Sequence, residues 1–131
     1  MNGILVVDKP KGWTSRDVVN HVSKILHTKK IGHTGTLDPL ATGTLVLCVG
    51  KAVKIAELLT SMEKEYLVTA SLGIQTDTLD CEGTIQKQIP THLTKEQIEK
   101  TLKKFEITYH QEVPIYSAVK VKGKKLYEYA R

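Results

Sequence analysis

Residues 32–43 read Gly-His-Thr-Gly-Thr-Leu-Asp-Pro-Leu-Ala-Thr-Gly, and one carboxylate, Asp38, stands there among groups able to bind a polar ligand. Gly32, Gly35 and Gly43 permit turns and close backbone approach, and Pro39 pins the backbone immediately after Asp38. His33, Thr34, Thr36 and Thr42 add an imidazole and three hydroxyls. From the residues alone, Asp38 is either a turn residue whose side chain caps a local amide or a lone catalytic carboxylate. In the second role it can act as a nucleophile or stabilise developing positive charge.

Other site types find less support in the sequence. A phosphate loop built on Gly50-Lys51 needs a glycine at position 45, where Leu45 stands. Ser15, His33 and Asp38 supply the residue types of a hydrolase triad, but no nucleophile elbow accompanies them. A pair of glycosidase carboxylates stays open from the sequence, although the motif itself supplies one. Residues 76–82 resemble a calcium loop only superficially, lacking its regular oxygen ligands and its glycine at the sharp turn. Cys48 and Cys81 are isolated from each other and from histidine at ligand spacing, so neither zinc nor a disulfide framework is indicated.

The 131 residues amount to one domain or part of one, with a net charge of +5 that is unevenly spread. Residues 1–54 carry eight Lys and Arg against three Asp and Glu, residues 55–106 six against nine, and residues 107–131 five against two. The Asp38 motif lies in the first basic block, which suits an anionic polymer as substrate. No apolar run approaches a membrane span or has the flanks of a signal peptide, so the expected location is the cytoplasm.

The elements that must position the motif can be read in order. Ile4-Leu5-Val6-Val7 predicts a strand over residues 2–8, broken by Lys9-Pro10-Lys11-Gly12. Thr14 or Ser15 can cap a helix over residues 16–27, with Val18, Val19, Val22, Ile25 and Leu26 on one face and His21 and His27 at the surface. Residues 45–49 predict a buried strand and residues 51–61 a helix. Alternation over residues 64–72 predicts a half-buried strand opened by Tyr66. Residues 84–89 form a further strand candidate, and Thr94-Lys95-Glu96-Gln97 is a capping box leading a second helix through Ile98, Leu102 and Phe105. Residues 113–121 read as extended, 122–124 as a turn, and 126–131 as helical. Together these predict a mixed α/β or α+β domain.

With these residues in place, the chain closely resembles the TruB-type tRNA pseudouridine synthases. Asn2-Gly3-Ile4-Leu5 through Asp8-Lys9-Pro10-Lys11-Gly12 and Thr14-Ser15 is similar to the family's first motif, and residues 32–43 to its catalytic motif. Lys64-Glu65-Tyr66 resembles the aromatic motif, and Thr76-Asp77-Thr78 with Asp80 and Gly83 the substrate-side loop. Tyr116-Ser117-Ala118 with Lys120, Gly123 and residues 126–131 also matches.

The resemblance implies an α+β pseudouridine synthase fold, a mostly antiparallel mixed sheet flanked by helices and incomplete at its C-terminus. It implies isomerisation of the T-loop uridine at tRNA position 55, with Asp38 as the catalytic carboxylate and the base flipped into the pocket. By the same resemblance His33 fills the space vacated by the flipped nucleotide, and Tyr66 stacks on the base. Lys54 meets the RNA backbone, Lys9 is a polar neighbour of the site and its support, and Asp80 holds a mobile loop or contacts substrate. No cofactor or metal is implied; the partner is the tRNA T-arm, and the full-length protein is expected to be a monomer. Two departures stand out. The segment 106–110 ahead of Pro114 lacks the customary glycine, and family proteins continue past Arg131 with an arginine that pairs with the aspartate and with a C-terminal RNA-binding extension. Residues 1–131 are therefore expected to be the N-terminal part of the catalytic domain. A non-catalytic RNA-binding fragment and a guide-RNA-dependent subunit of the dyskerin type are the alternatives. Leu40-Ala41 and the short N-terminus favour the stand-alone bacterial type.

Overall fold

A computed structural model of the chain describes residues 1–106, 108, 110, 113, 117 and 119–129. The chain divides into two compact units, Met1–Tyr66 and Leu67–Arg131.

The first unit is built on a three-stranded antiparallel sheet. β1 (Gly3–Lys9) pairs along its whole length with β3 (Gly43–Val49), whose other edge holds β2 (Ile31–His33), giving the order β1-β3-β2. Register places Leu5 and His33 opposite Leu47, and Ile31 opposite Val49, so these side chains share one face. Helix α1 (Ser15–Ile25) closes that face. Its Val18, Val19 and Val22 join Ile31, Leu45, Leu47 and Val49 in one buried cluster, with Val7, Leu26 and Leu37 packed at its margin.

The helix starts where the sequence predicts. Thr14 is the N-cap; its hydroxyl accepts from the Asp17 N–H, and the Asp17 carboxylate accepts the Thr14 N–H in return. It ends earlier than expected, at Ile25, because His27 takes a left-handed conformation (φ 48°) and turns the chain out. Ile25 is accordingly exposed, and Leu26 packs on the cluster instead.

Residues 51–61 form no single helix. A 3-10 turn (Gly50–Ile55) leads into the short α2 (Ala56–Thr60), and Lys51 near the start of the 3-10 turn is tethered by a 2.7 Å bond from its N–H to the side chain of Asn2, the residue before β1. The strand expected over residues 64–72 is absent. No described strand pairs with that segment, and Leu67 and Val68 are exposed; alternation alone makes no strand without a partner to complete its hydrogen bonds.

In the second unit, β4 (Ile74–Thr76), which sequence reading missed, pairs antiparallel with β5 (Ile85–Gln88). Helix α3 (Lys95–Leu102) carries the expected Thr94–Gln97 capping box and continues as a 3-10 turn (Lys103–Phe105). β6 (Lys120–Val121) and β7 (Lys124–Lys125) flank the Lys122-Gly123 turn and precede α4 (Leu126–Tyr129). All described strand pairs are antiparallel. The motif residues Pro114, Tyr116, Ala118 and Arg131 lie outside the described residues.

Candidate active site

The Asp38 motif is the connection between two neighbouring strands. β2 ends at His33, Thr34 extends the pairing through its N–H to the Val46 carbonyl at 3.0 Å, and the chain returns as β3 at Gly43. Within this long loop the Ala41 N–H reaches the Asp38 carbonyl at 3.0 Å, closing a turn in which Asp38 is the first residue and Pro39 the second. Both suit those places, because a short acidic side chain favours the first position and the fixed proline φ the second.

The residues on either side of Asp38 are anchored. On one side the Leu37 N–H donates to Ser15 Oγ at 2.9 Å, and Ser15 Oγ lies 3.3 Å from the Leu37 carbonyl as its donor. On the other side the Pro39 carbonyl accepts from the Gly12 N–H at 2.7 Å and from Lys9 Nζ at 3.3 Å. Gly12 holds φ +84°, a backbone conformation that a side chain disfavours, so the turn that delivers its N–H needs glycine there.

Lys9 has no solvent exposure at all. Its ammonium donates to the carbonyls of Pro10 (3.0 Å), Trp13 (2.6 Å) and Pro39. Three N–H groups thus meet three carbonyls, which replaces the hydration lost on burial. The expected polar neighbour of the site is therefore a buried backbone clasp that grips the loop at Pro39, the residue after Asp38. Asp38 itself is exposed, and its carboxylate has no hydrogen-bond or ionic partner among the described residues. A fixed backbone presents a free carboxylate to solvent.

His33 is half-buried at the end of β2, and its Nδ1 is buried without a hydrogen-bond partner among the described residues. A buried ring nitrogen without a partner is an unmet hydrogen-bonding demand at the edge of the loop. Tyr66 is exposed, outside any regular element, and makes no ring contact among the described residues. The start of its motif does approach the loop: Lys64 Cε lies 3.7 Å from where a side chain on Gly35 would begin. Lys64 Nζ is turned back onto the carbonyls of Thr60 (2.6 Å) and Met62 (2.8 Å). Lys54 stands exposed in the 3-10 turn, with no ion pair among the described residues.

Asp80 belongs to the second unit, in the β4–β5 connection. It accepts from Thr78 Oγ1 at 2.6 Å and the Glu82 N–H at 2.9 Å, and these bonds hold its carboxyl below the usual carboxylate range. No group of three or more His, Cys, Asp and Glu among the described residues is arranged to hold a metal ion.

Sequence reading missed the bond from Ser15 to Leu37, weighing Ser15 as a possible cap, as a motif residue and as a member of a hydrolase triad that lacks its nucleophile elbow. Its signal was present: Ser15 precedes Val18, Val19 and Val22 by three, four and seven residues, which puts a hydroxyl on the core stripe of α1. A polar group in that stripe requires a partner, and Leu37 is the partner.

Comparison with known proteins follows the same residues. Residues 23–131 match the family model described as TruB family pseudouridylate synthase (N terminal domain). The chain is 52% identical over all its 131 residues to tRNA pseudouridine synthase B of Caldicellulosiruptor saccharolyticus, covering 45% of that protein. It is 50% identical, again over its full length, to tRNA pseudouridine synthase B of Fusobacterium nucleatum, covering 46% of it. The chain thus spans less than half the length of these curated relatives. A solved chain from an H/ACA ribonucleoprotein bound to a substrate RNA containing 2'-deoxyuridine is 43% identical over 43% of this chain and 18% of its own, with a TM-score of 0.42.

Proposed function

The chain belongs to the TruB family of pseudouridylate synthases, and on that premise we propose that it carries the catalytic carboxylate, Asp38, of an enzyme that converts the T-loop uridine at tRNA position 55 into pseudouridine. The observation that carries this reading is the contrast at the loop: Leu37 and Pro39 are fixed by Ser15, Lys9 and Gly12, while the carboxylate between them is exposed and unengaged. A turn residue kept for capping would spend its carboxylate on a local amide, as Asp17 and Asp80 do.

The reaction breaks the bond between ribose C1' and uracil N1, turns the base, and forms a bond from C1' to C5; the C5 proton leaves and N1 gains one. Asp38 serves it by adding covalently to the ribose or base, or by stabilising positive charge that develops at the sugar as the base departs. No redox equivalent or group donor enters this balance. The target base must leave its stack to reach the carboxylate. His33 fills the vacated space with its unpartnered Nδ1, the exposed Tyr66 ring stacks on the extruded base, and the Lys54 ammonium meets a phosphate. Asp80, engaged within its own turn, shapes the loop that faces substrate rather than entering the chemistry.

On this reading residues 1–131 are the N-terminal part of the catalytic domain, the partner is the T-arm, and the protein works as a monomer in the cytoplasm. Among the described residues no helix is long and apolar enough to cross a membrane. The test is incubation of the full natural chain and of residues 1–131, separately, with an unmodified T-arm RNA, followed by mapping of pseudouridine. Product at position 55 that disappears with Asp38→Ala is expected of the full chain. RNA bound by both without conversion would leave an RNA-binding module and remove the enzyme.

A further inference from the structure

We propose that Ser15 is the positioning residue for Asp38: its side chain fixes the backbone on the N-terminal side of the carboxylate and ties that backbone to the most firmly packed helix of the first unit. The proposal rests on the reading of Asp38 above and extends it to a residue outside the loop.

Ser15 is 3% exposed and lies 22 residues from Leu37, yet its single hydroxyl oxygen both accepts the Leu37 N–H at 2.9 Å and faces the Leu37 carbonyl at 3.3 Å as a donor. A hydroxyl on a one-carbon stem can be acceptor to the N–H and donor to the C=O of one residue at this range. The hydroxyl is also free for the task. Thr14, not Ser15, caps α1. Ser15 then continues into Val18, Val19 and Val22, which are buried in the core, so the loop is referred to an element with little freedom of its own. The Leu37 side chain packs on the margin of that cluster, which adds an apolar contact to the two polar ones. Lys9 and Gly12 hold the opposite flank at Pro39. With one side released, the turn can pivot about the other, and the carboxylate swings away from the sugar it must reach. A displacement of about 1 Å at reacting atoms costs on the order of a hundredfold in rate.

Single-turnover and steady-state kinetics of the full natural chain on T-arm RNA test this, with Ser15→Ala, Ser15→Thr, Ser15→Cys and, as a stability control, Val22→Ala. Ser15→Ala is expected to lower kcat by about tenfold to a hundredfold while KM for RNA stays within about threefold, since the group displaced acts on the transition state. Ser15→Thr, which keeps the hydroxyl, is expected to restore most of kcat. Ser15→Cys, with its longer and weaker hydrogen bonds, is expected to fall between them. Val22→Ala should lower the thermal midpoint at least as much as Ser15→Ala while leaving kcat unchanged at temperatures where both are folded. Should Ser15→Ala fail to fold, Ser15→Cys decides the matter. Wild-type kcat in Ser15→Ala or Ser15→Cys, or an equal loss in Val22→Ala, overturns the assignment. Asp38→Ala run alongside separates the two levels. Undiminished product from Asp38→Ala removes the reading of the carboxylate itself, whereas an inactive Asp38→Ala beside a fully active Ser15→Ala removes only the role of Ser15.

Discussion

The ammonium of Lys9 and the carbonyl of Pro39, 30 residues apart in the chain, lie 3.3 Å apart in a region where Lys9 has no solvent exposure. A lysine is seldom buried this fully, and here it ends β1 where the sheet gives way to the turns around Asp38. Its charge meets carbonyl dipoles rather than an acid, and Lys9 makes no ion pair among the described residues.

Replacing Lys9 therefore tests the clasp. Lys9→Met keeps the length and apolar stem but strips donors from three carbonyls, and is expected to cost about 1–3 kcal/mol of unfolding free energy. Lys9→Arg should not rescue it, because a planar guanidinium does not fit three converging carbonyls around a point charge. Urea denaturation of the three proteins provides the comparison.

The core of the first unit predicts a sharp contrast between two leucines. Leu47 is completely buried on the central strand, whereas Leu58 in α2 is 68% exposed. Leu47→Ala is expected to destabilise by about 2–5 kcal/mol, and Leu58→Ala to stay within about 0.5 kcal/mol of wild type. Equal shifts in denaturation midpoint for the two would contradict the described packing.

The capping box at α1 predicts a dependence on pH. The Thr14 hydroxyl, with the Thr14 N–H as the smaller contribution, holds the Asp17 carboxyl below the usual carboxylate range. A depressed folded-state value means that the stabilisation is present above the unfolded-state value and is lost as the pH falls through the folded one. Asp17→Asn should thus be less stable than wild type near neutral pH, with the gap closing in strongly acid solution. Thr14→Ala, which removes the hydroxyl that caps the helix, is expected to cost about 0.5–2 kcal/mol near neutral pH. Thermal midpoints measured across the acid range decide both.

For the RNA surface, the expected signatures differ by residue. Lys54→Ala should weaken T-arm binding at low salt and reduce the slope of log affinity against log salt by about one contact. Tyr66→Ala should cost about 1–3 kcal/mol in binding a flipped base, while Tyr66→Phe keeps the ring and most of that affinity. Fluorescence titrations at several salt concentrations separate the phosphate contact from the stacking one.

Much of this architecture was legible because local chemistry and tertiary packing agree. The Thr14 and Thr94 caps, the valine stripe of α1 and the apolar run of β3 are set by short-range pattern, and each element forms where its residues predict, with one end shifted by two or three residues. The segment behind Tyr66 misled because alternation describes one side of a pairing whose other side is not among the described strands. β4 escaped notice for the opposite reason: three residues, Ile74–Thr76, carry too little pattern, and their strand character comes from β5 through a register shifted between Gln75 and Thr76. At the site, the Asp-Pro turn could be read from residue types. The bonds from Ser15 to Leu37 and from Lys9 to Pro39 could not, since they span 22 and 30 residues and depend on where α1 and β1 meet the loop.

The most direct test of the account is the yield of pseudouridine at the T-loop uridine from the full natural chain, compared between wild type, Asp38→Asn and Asp38→Ala. Because the Asp38 side chain has no partner among the described residues, both substitutions should leave the thermal midpoint and RNA affinity close to wild type. The expected result is conversion by wild type and none above background by either variant. Conversion by Asp38→Ala at the wild-type rate would contradict the central claim that this carboxylate performs the isomerisation.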